Sequence, residues 1–254
     1  MTSAVLALGR RSLTTQFRRA QLLMPTFVLP LMLLAVIASG TSAARGLRGF
    51  PDVGAYLSFV VPGTIIQGSL LMGLTAGIAL ASDIEFGFFD RLLAAPVPRV
   101  ALVLGRLAGV LVLTALQTSV FLLVALLFGA RYPGGPLAIL GVLVLAPVTA
   151  VGIGGLAAAI ALRTGSMSIM QSLFPFVFVL LFTSPAVFPR DLLSPTLHDI
   201  AAYNPLTYIV ESVRGLLLDQ ASAHPWEGFV AALALAAFTT ALATFALADR
   251  LRRL

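Results

Sequence analysis

The chain has 254 residues, of which 59% are hydrophobic and 10% charged, against about 25% charged in an ordinary soluble domain. All sixteen cationic side chains are arginine and no cysteine occurs. The missing lysine excludes a P-loop and Schiff-base chemistry, and the missing cysteine excludes disulfides, thiolate catalysis and thiolate-bound metal centres. A net charge of +6 on arginines scattered between apolar runs tracks membrane sidedness and gives no reason to expect a nucleic-acid partner.

A hydrocarbon core about 30 Å thick needs roughly 20 apolar residues at 1.5 Å rise each. Stretches of that order occupy residues 22–41, 56–81, 101–129, 136–162, 167–188 and 227–247. Lipid offers no partner to a backbone amide, and these runs are about twice the length of a barrel strand. They predict an all-α membrane protein with six transmembrane helices, organised as a single domain over residues 1–254.

Before the first span, Val5, Leu6, Leu13, Phe17 and Leu22 can share one surface while the arginines project towards headgroups, which predicts an N-terminal interfacial helix. Pro25 and Pro30 should bend span one. Span two carries Ser69, Gly73, Gly77 and Ala81 at intervals of four, a stripe that lets helices approach closely. A short charged and aromatic stretch follows. Asp83, Glu85 and Asp90 favour the start of a helix and Pro96 and Pro98 stop one. An amphipathic helix lying on the membrane surface is expected there, with Phe86, Phe89, Leu92 and Leu93 on its apolar face.

The span interiors offer neutral polar groups instead of ionisable ones. Gln67, Thr114, Gln117 and Thr118 are candidates to line a pathway, and interhelical hydrogen bonding is an equal alternative for them. Pro175 should bend span five. Beyond it, Asn204-Pro205 reads as an N-cap followed by proline at the first helical position. The helix after it is too short to span and too apolar to stand in water, which predicts a re-entrant or interfacial helix before span six. Glu211 and Arg214, three residues apart, can pair on it. Span six repeats small residues at Ala232, Ala236, Thr240, Thr244 and Ala248.

Six spans put both termini on one side. With that side cytoplasmic, Arg10, Arg11, Arg18, Arg19, Arg91, Arg99, Arg106, Arg163, Arg250, Arg252 and Arg253 lie inside, and Arg45, Arg48, Arg131, Arg190 and Arg214 outside. Eleven against five satisfies the positive-inside rule. His198 and His224 are isolated, no carboxylates pair within a span, and no hydrolase or metalloprotease motif occurs. A non-enzymatic chain with no metal site is expected.

Two segments carry a resemblance. The stretch Glu85-Phe86-Gly87-Phe88-Phe89-Asp90-Arg91-Leu92-Leu93, with Pro96-Val97-Pro98-Arg99 and then Gly105-Arg106, resembles the intracellular signature of ABC type-2 permeases. More narrowly it is similar to that of the daunorubicin/doxorubicin-resistance-like exporters. Phe188-Pro189, Tyr203-Asn204-Pro205-Leu206-Thr207-Tyr208 and Val210-Glu211-Ser212-Val213-Arg214 resemble the outer motif of that family. Phe88 stands where threonine is frequent and Asp90 where glutamate is common.

The resemblance implies a plasma-membrane permease subunit that exports a hydrophobic drug, antibiotic or lipid-like compound. A polysaccharide or lipid-carrier export permease is the alternative, and an ion-coupled transporter a more distant one. It also implies a second permease copy, identical or not, and two cytoplasmic ATPase subunits that hold ATP and magnesium, this chain binding no cofactor itself. Asp83, Glu85, Gly87, Phe88, Phe89, Asp90 and Arg91 would then form the coupling helix that docks on the ATPase. Asn204, Pro205, Tyr208, Glu211 and Arg214 would form the outer motif.

Overall fold

A computed structural model describes residues 9–10, 13–14, 20–40, 56–93, 98–187, 190–219 and 224–252. All the regular elements among them are helical. In chain order they are α1 (Ala20–Gly40), α2 (Tyr56–Glu85), α3 (Phe88–Leu93), α4 (Arg99–Leu127), α5 (Gly135–Thr164), α6 (Met167–Ser172), α7 (Phe174–Phe182), α8 (Pro195–Tyr203), α9 (Pro205–Leu218) and α10 (Pro225–Arg252), with one 3-10 turn at Arg190–Leu192.

Four helices are long and apolar enough to cross a membrane: α2, α4, α5 and α10. Two shorter apolar stretches, Leu23–Val36 and Met167–Phe182, lie in α1 and across α6–α7. The expected single helix over 167–188 is therefore broken. Pro175 sits in the first turn of α7, the position proline favours, because its missing N–H and locked φ suit a helix start and spoil a helix interior. Tight turns at Leu173 and again over residues 183–186 end the two pieces.

The molecule is built around α2. It packs against α1, α4, α5, α6, α7 and α9, and its whole apolar window is enclosed by them. The Ser69–Gly73–Gly77–Ala81 stripe explains the fit to α5. A Cβ at Gly73 would lie 2.7 Å from the Ala150 carbonyl oxygen and 2.8 Å from the Gly154 nitrogen. One at Gly77 would run into Ala157 and the Met170 methyl. The α10 stripe only partly holds. Ala232 and Ala236 are buried, and Gly152 and Gly155 of α5 face Leu235 and Thr239. The buried line then passes through Thr239, Ala243 and Leu247, and Ala248 is exposed. A helix turns once per 3.6 residues, so a strict four-residue stripe drifts off the contact face.

The outer faces of α4, α5 and α10 expose Leu116, Leu123, Leu140, Val144, Phe238 and Phe245, a surface suited to lipid. Side-chain contacts fix the sense of each helix. The end of α2, α3, the start of α4, the α5–α6 turn and the end of α10 meet at one end of the bundle. Gly9 lies against Gly105 and Ala108 at that same end. Gly9, Arg10, Leu13 and Thr14 are helical, and Leu13 packs on the cluster of Met72, Ala76, Val110 and Leu113. Val5, Leu6 and Phe17 of the expected interfacial helix lie outside the described residues, as do Arg45, Arg48, Pro96 and the Phe188-Pro189 pair. The side chain of Leu22 lies outside them too.

Candidate functional site

At the α3 end the chain reverses at Gly87, whose φ of +69° suits a residue without a Cβ. Asp83 and Glu85 do not start a helix, as their charge led one to expect. They occupy the last turn of α2, where the macrodipole disfavours carboxylates. Each is offset by a contact from elsewhere in the chain. Arg106 of α4 pairs with Asp83 in a half-buried setting. The backbone N–H of Met167, the first residue of α6, donates to Glu85 Oε2 at 2.8 Å, which places a negative charge at the end of α6 that favours one.

In α3, Phe89 is buried and Leu92 and Leu93 pack against the core. Phe86 departs from the expected apolar face and is 76% exposed. It lies in the turn before α3, out of helical register with Phe89 and Leu92. Phe88 is half-buried, and Asp90 and Arg91 are exposed. Two charges thus tie the segment to its own bundle and two face outward.

At the opposite end, Asn204 caps α9 as anticipated. Its Oδ1 accepts from the Leu206 N–H at 2.9 Å, with Pro205 beginning the helix. Its Nδ2 also donates to the Leu180 carbonyl at 2.8 Å and to Thr183 Oγ1 at 3.1 Å, so one side chain starts α9 and fastens it to the end of α7. The Tyr208 hydroxyl donates to the Ala202 carbonyl at 3.0 Å. Arg214 is buried. Its Nη2 donates to the carbonyls of Pro185 (2.7 Å) and Ala186 (3.2 Å), and its guanidinium lies 4.0 Å from the centre of the Phe59 ring. Glu211 attracts it electrostatically, yet these contacts go to main chain and ring. The Ala186 carbonyl in turn rests on Gly63, where a Cβ would come within 2.6 Å of it. Outside the spans, burial pushes the Tyr132 phenol above its ordinary range, and its hydroxyl donates to the Leu122 carbonyl at 3.0 Å.

Gln67, Thr114, Gln117 and Thr118 are all buried between these ends. Gln117 Nε2 donates to the Thr26 carbonyl of α1 at 2.6 Å and lies against Gly68 of α2, which makes it an interhelical fastener. Thr114 Oγ1 and Gln67 Nε2 have no partner. Gln67 faces a narrow cleft between α1, α2 and α7, lined also by Leu33, Val60, Thr64, Leu181 and Val187. Arg106, Phe59 and Thr26 escaped the sequence-derived site list. A carbonyl four residues before Pro30 was a readable signal for Thr26, whereas nothing local marked Phe59.

The profile of the ABC-2 type transporter family matches residues 3–218, a region that includes both motif-bearing ends. The chain belongs to the ABC-2 type transporter family. A protein named as a transport permease, ycf38, from Porphyra purpurea is 29% identical over 210 residues, covering 82% of this chain and 72% of the relative. Its counterpart from Pyropia yezoensis is 30% identical over 213 residues, covering 83% and 72%. The daunorubicin resistance ABC transporter permease protein DrrB1 of Streptomyces coeruleorubidus is 30% identical over 170 residues, covering 64% and 58%. As an ABC-2 permease, the chain is a membrane transport protein.

Proposed function

We propose that this permease is the membrane subunit of an ATP-driven exporter, working as a pair of permease chains with two cytoplasmic ATPase subunits that carry the ATP and magnesium. The observation that carries the reading is the division of charge around α3. Asp83 and Glu85 at the end of α2 anchor the segment to α4 and α6, while Asp90 and Arg91 on α3 project outward. Such an element passes a push from a docked partner directly into three membrane helices. Gly87, Phe88 and Phe89 give it its bend and its seat.

The α3 end is cytoplasmic in this reading. Arg10, Arg91, Arg106, Arg163, Arg250 and Arg252 gather at it, against Arg131, Arg190 and Arg214 at the far end, as the positive-inside rule requires. The α1 helix, 21 residues long, and the broken α6–α7 segment complete six crossings in the plasma membrane. The cargo is a hydrophobic drug, antibiotic or lipid-like compound, a class supported by the similarity to a daunorubicin resistance permease.

The test is export into inverted vesicles containing this chain and an ABC ATPase subunit that binds it. ATP-dependent accumulation of a fluorescent hydrophobic compound is expected. Asp90→Ala with Arg91→Ala should abolish accumulation and weaken ATPase binding while the protein still inserts. Accumulation driven by a proton gradient without any ATPase would overturn the proposal.

A further inference from the structure

We infer that Glu85 and Arg250 are positioning residues for transport, set on either side of a hinge at Gly165. Through them α6 moves with the α3 segment while α5 stays in place. This rests on the exporter reading and says how a push received at α3 is routed onward. Gly165 ends α5 in the left-handed region, at φ +63°, where a residue without a Cβ costs least. Its N–H donates to the Ala161 carbonyl at 2.8 Å and closes α5. Two residues later α6 begins, and Ser166 gives it no side-chain cap.

A helix leaves its last carbonyls and its first N–H groups without internal partners, and here each set is met from a different helix. Arg250 of α10 donates through Nη1 to the Leu162 carbonyl of α5 at 3.1 Å. Glu85 of α2 accepts from the Met167 N–H of α6 at 2.8 Å. A cation meets the carbonyl end and a carboxylate the amide end, so each charge suits the dipole it faces. The two sides are held unequally. α5 is buried along its length, through Val142, Ala150, Ala157 and Leu162 among others. Met170 is the one buried residue of α6, and its methyl fills the notch left at Gly77 of α2. An element with so few buried contacts is displaced at low cost. Both of these holds on α6 lead to α2, the helix that runs into α3, whereas Arg250 ties the end of α5 to α10.

Hydrogen exchange on the full chain in lipid nanodiscs tests the hinge without any ATPase. Arg250→Met should speed exchange at the Gly165 amide about fivefold, the worth of one hydrogen bond, and leave the Met170 amide unchanged. Arg163→Met removes the same charge from the exposed end of α5 and should change neither. Glu85→Ala should do the reverse, speeding Met167 and Met170 alone, and Glu85→Gln should keep most of the protection through its amide oxygen. Matching changes at Gly165 and Met170 in either variant overturn the hinge. The chain has no cysteine, so spin labels on Ser168→Cys or Leu156→Cys, each paired with Ala248→Cys, follow the motion; all three positions are exposed. With the ATPase complex trapped by ATP and vanadate, the α6–α10 distance should shift by about 2 Å and the α5–α10 distance should not. Glu85→Ala should abolish that shift while ATP is still hydrolysed, and Glu85→Gln should restore it. A shift shared by both pairs, or one that survives Glu85→Ala, overturns the positioning role. Failure of ATP-driven export alongside the expected exchange pattern refutes the exporter reading alone.

Discussion

Gln117 of α4 supplies the hydrogen bond that Pro30 denies to Thr26 of α1. In an unbroken helix the N–H of residue 30 would donate to the Thr26 carbonyl, and proline has none. Gln117 Nε2 takes the place at 2.6 Å, while the Phe27 and Phe121 rings meet edge to face beside it at 6.1 Å. Where no water competes, a neighbouring side chain is what makes an interior proline tolerable. The proline within α1 and the α1–α4 contact are therefore one feature.

Replacing Gln117 with leucine should lower the stability of the chain in nanodiscs by about 1–3 kcal/mol, the cost of an orphaned buried carbonyl. Adding Pro30→Ala restores the backbone donor and should recover most of that loss. Thermal or steric-trap unfolding of the single and double variants measures it. An additive double variant would mean that the two residues act separately.

The cap at the end opposite α3 depends on Arg214 satisfying main-chain oxygens. Arg214→Met should orphan the Pro185 and Ala186 carbonyls, at about 1–3 kcal/mol each. Exchanging the two charges, Glu211→Arg with Arg214→Glu, should not rescue, because a carboxylate cannot donate to a carbonyl. Unfolding temperature and proteolysis of the 183–187 turn are the readouts, and full rescue by the exchange would show that the ion pair alone matters.

Anchoring and outward-facing charges around α3 should separate experimentally. Glu85→Ala should speed hydrogen exchange at the Met167 amide by about fivefold or more, the worth of roughly one hydrogen bond, and Asp90→Ala should leave that amide unchanged. Equal exchange in both variants would dissolve the distinction between the two pairs.

Close packing of α2 on α5 should not tolerate a side chain at its stripe. Gly73→Val places atoms against the Ala150 carbonyl and the Gly154 nitrogen and should cost about 1–3 kcal/mol through overpacking. An exposed control, Ala241→Val on α10, should be near neutral. Melting of both variants in the same lipid decides it.

Much of this architecture was legible from composition and local rules. Long apolar runs can only be helices in lipid, and Asn204-Pro205 announces its helix start because an N-cap acts within three residues. Pro175 announced a bend in the fifth apolar run by the same local logic, but not that the run would break into two helices. What only the tertiary structure decided is which faces meet. The apolar runs of α2 and α10 look alike in sequence, yet all of the first is enclosed and a third of the second. A helix facing lipid and one facing protein are both apolar all round, so the amphipathic signal that marks a buried face in water is lost. The partners of the few polar groups lay equally out of reach. Arg106 answers Asp83 from 23 residues away and Gln117 answers Thr26 from 91, far beyond the span of any capping or pairing rule. Burial in a dry interior compelled those polar atoms to find partners, and the packing of the helices chose which.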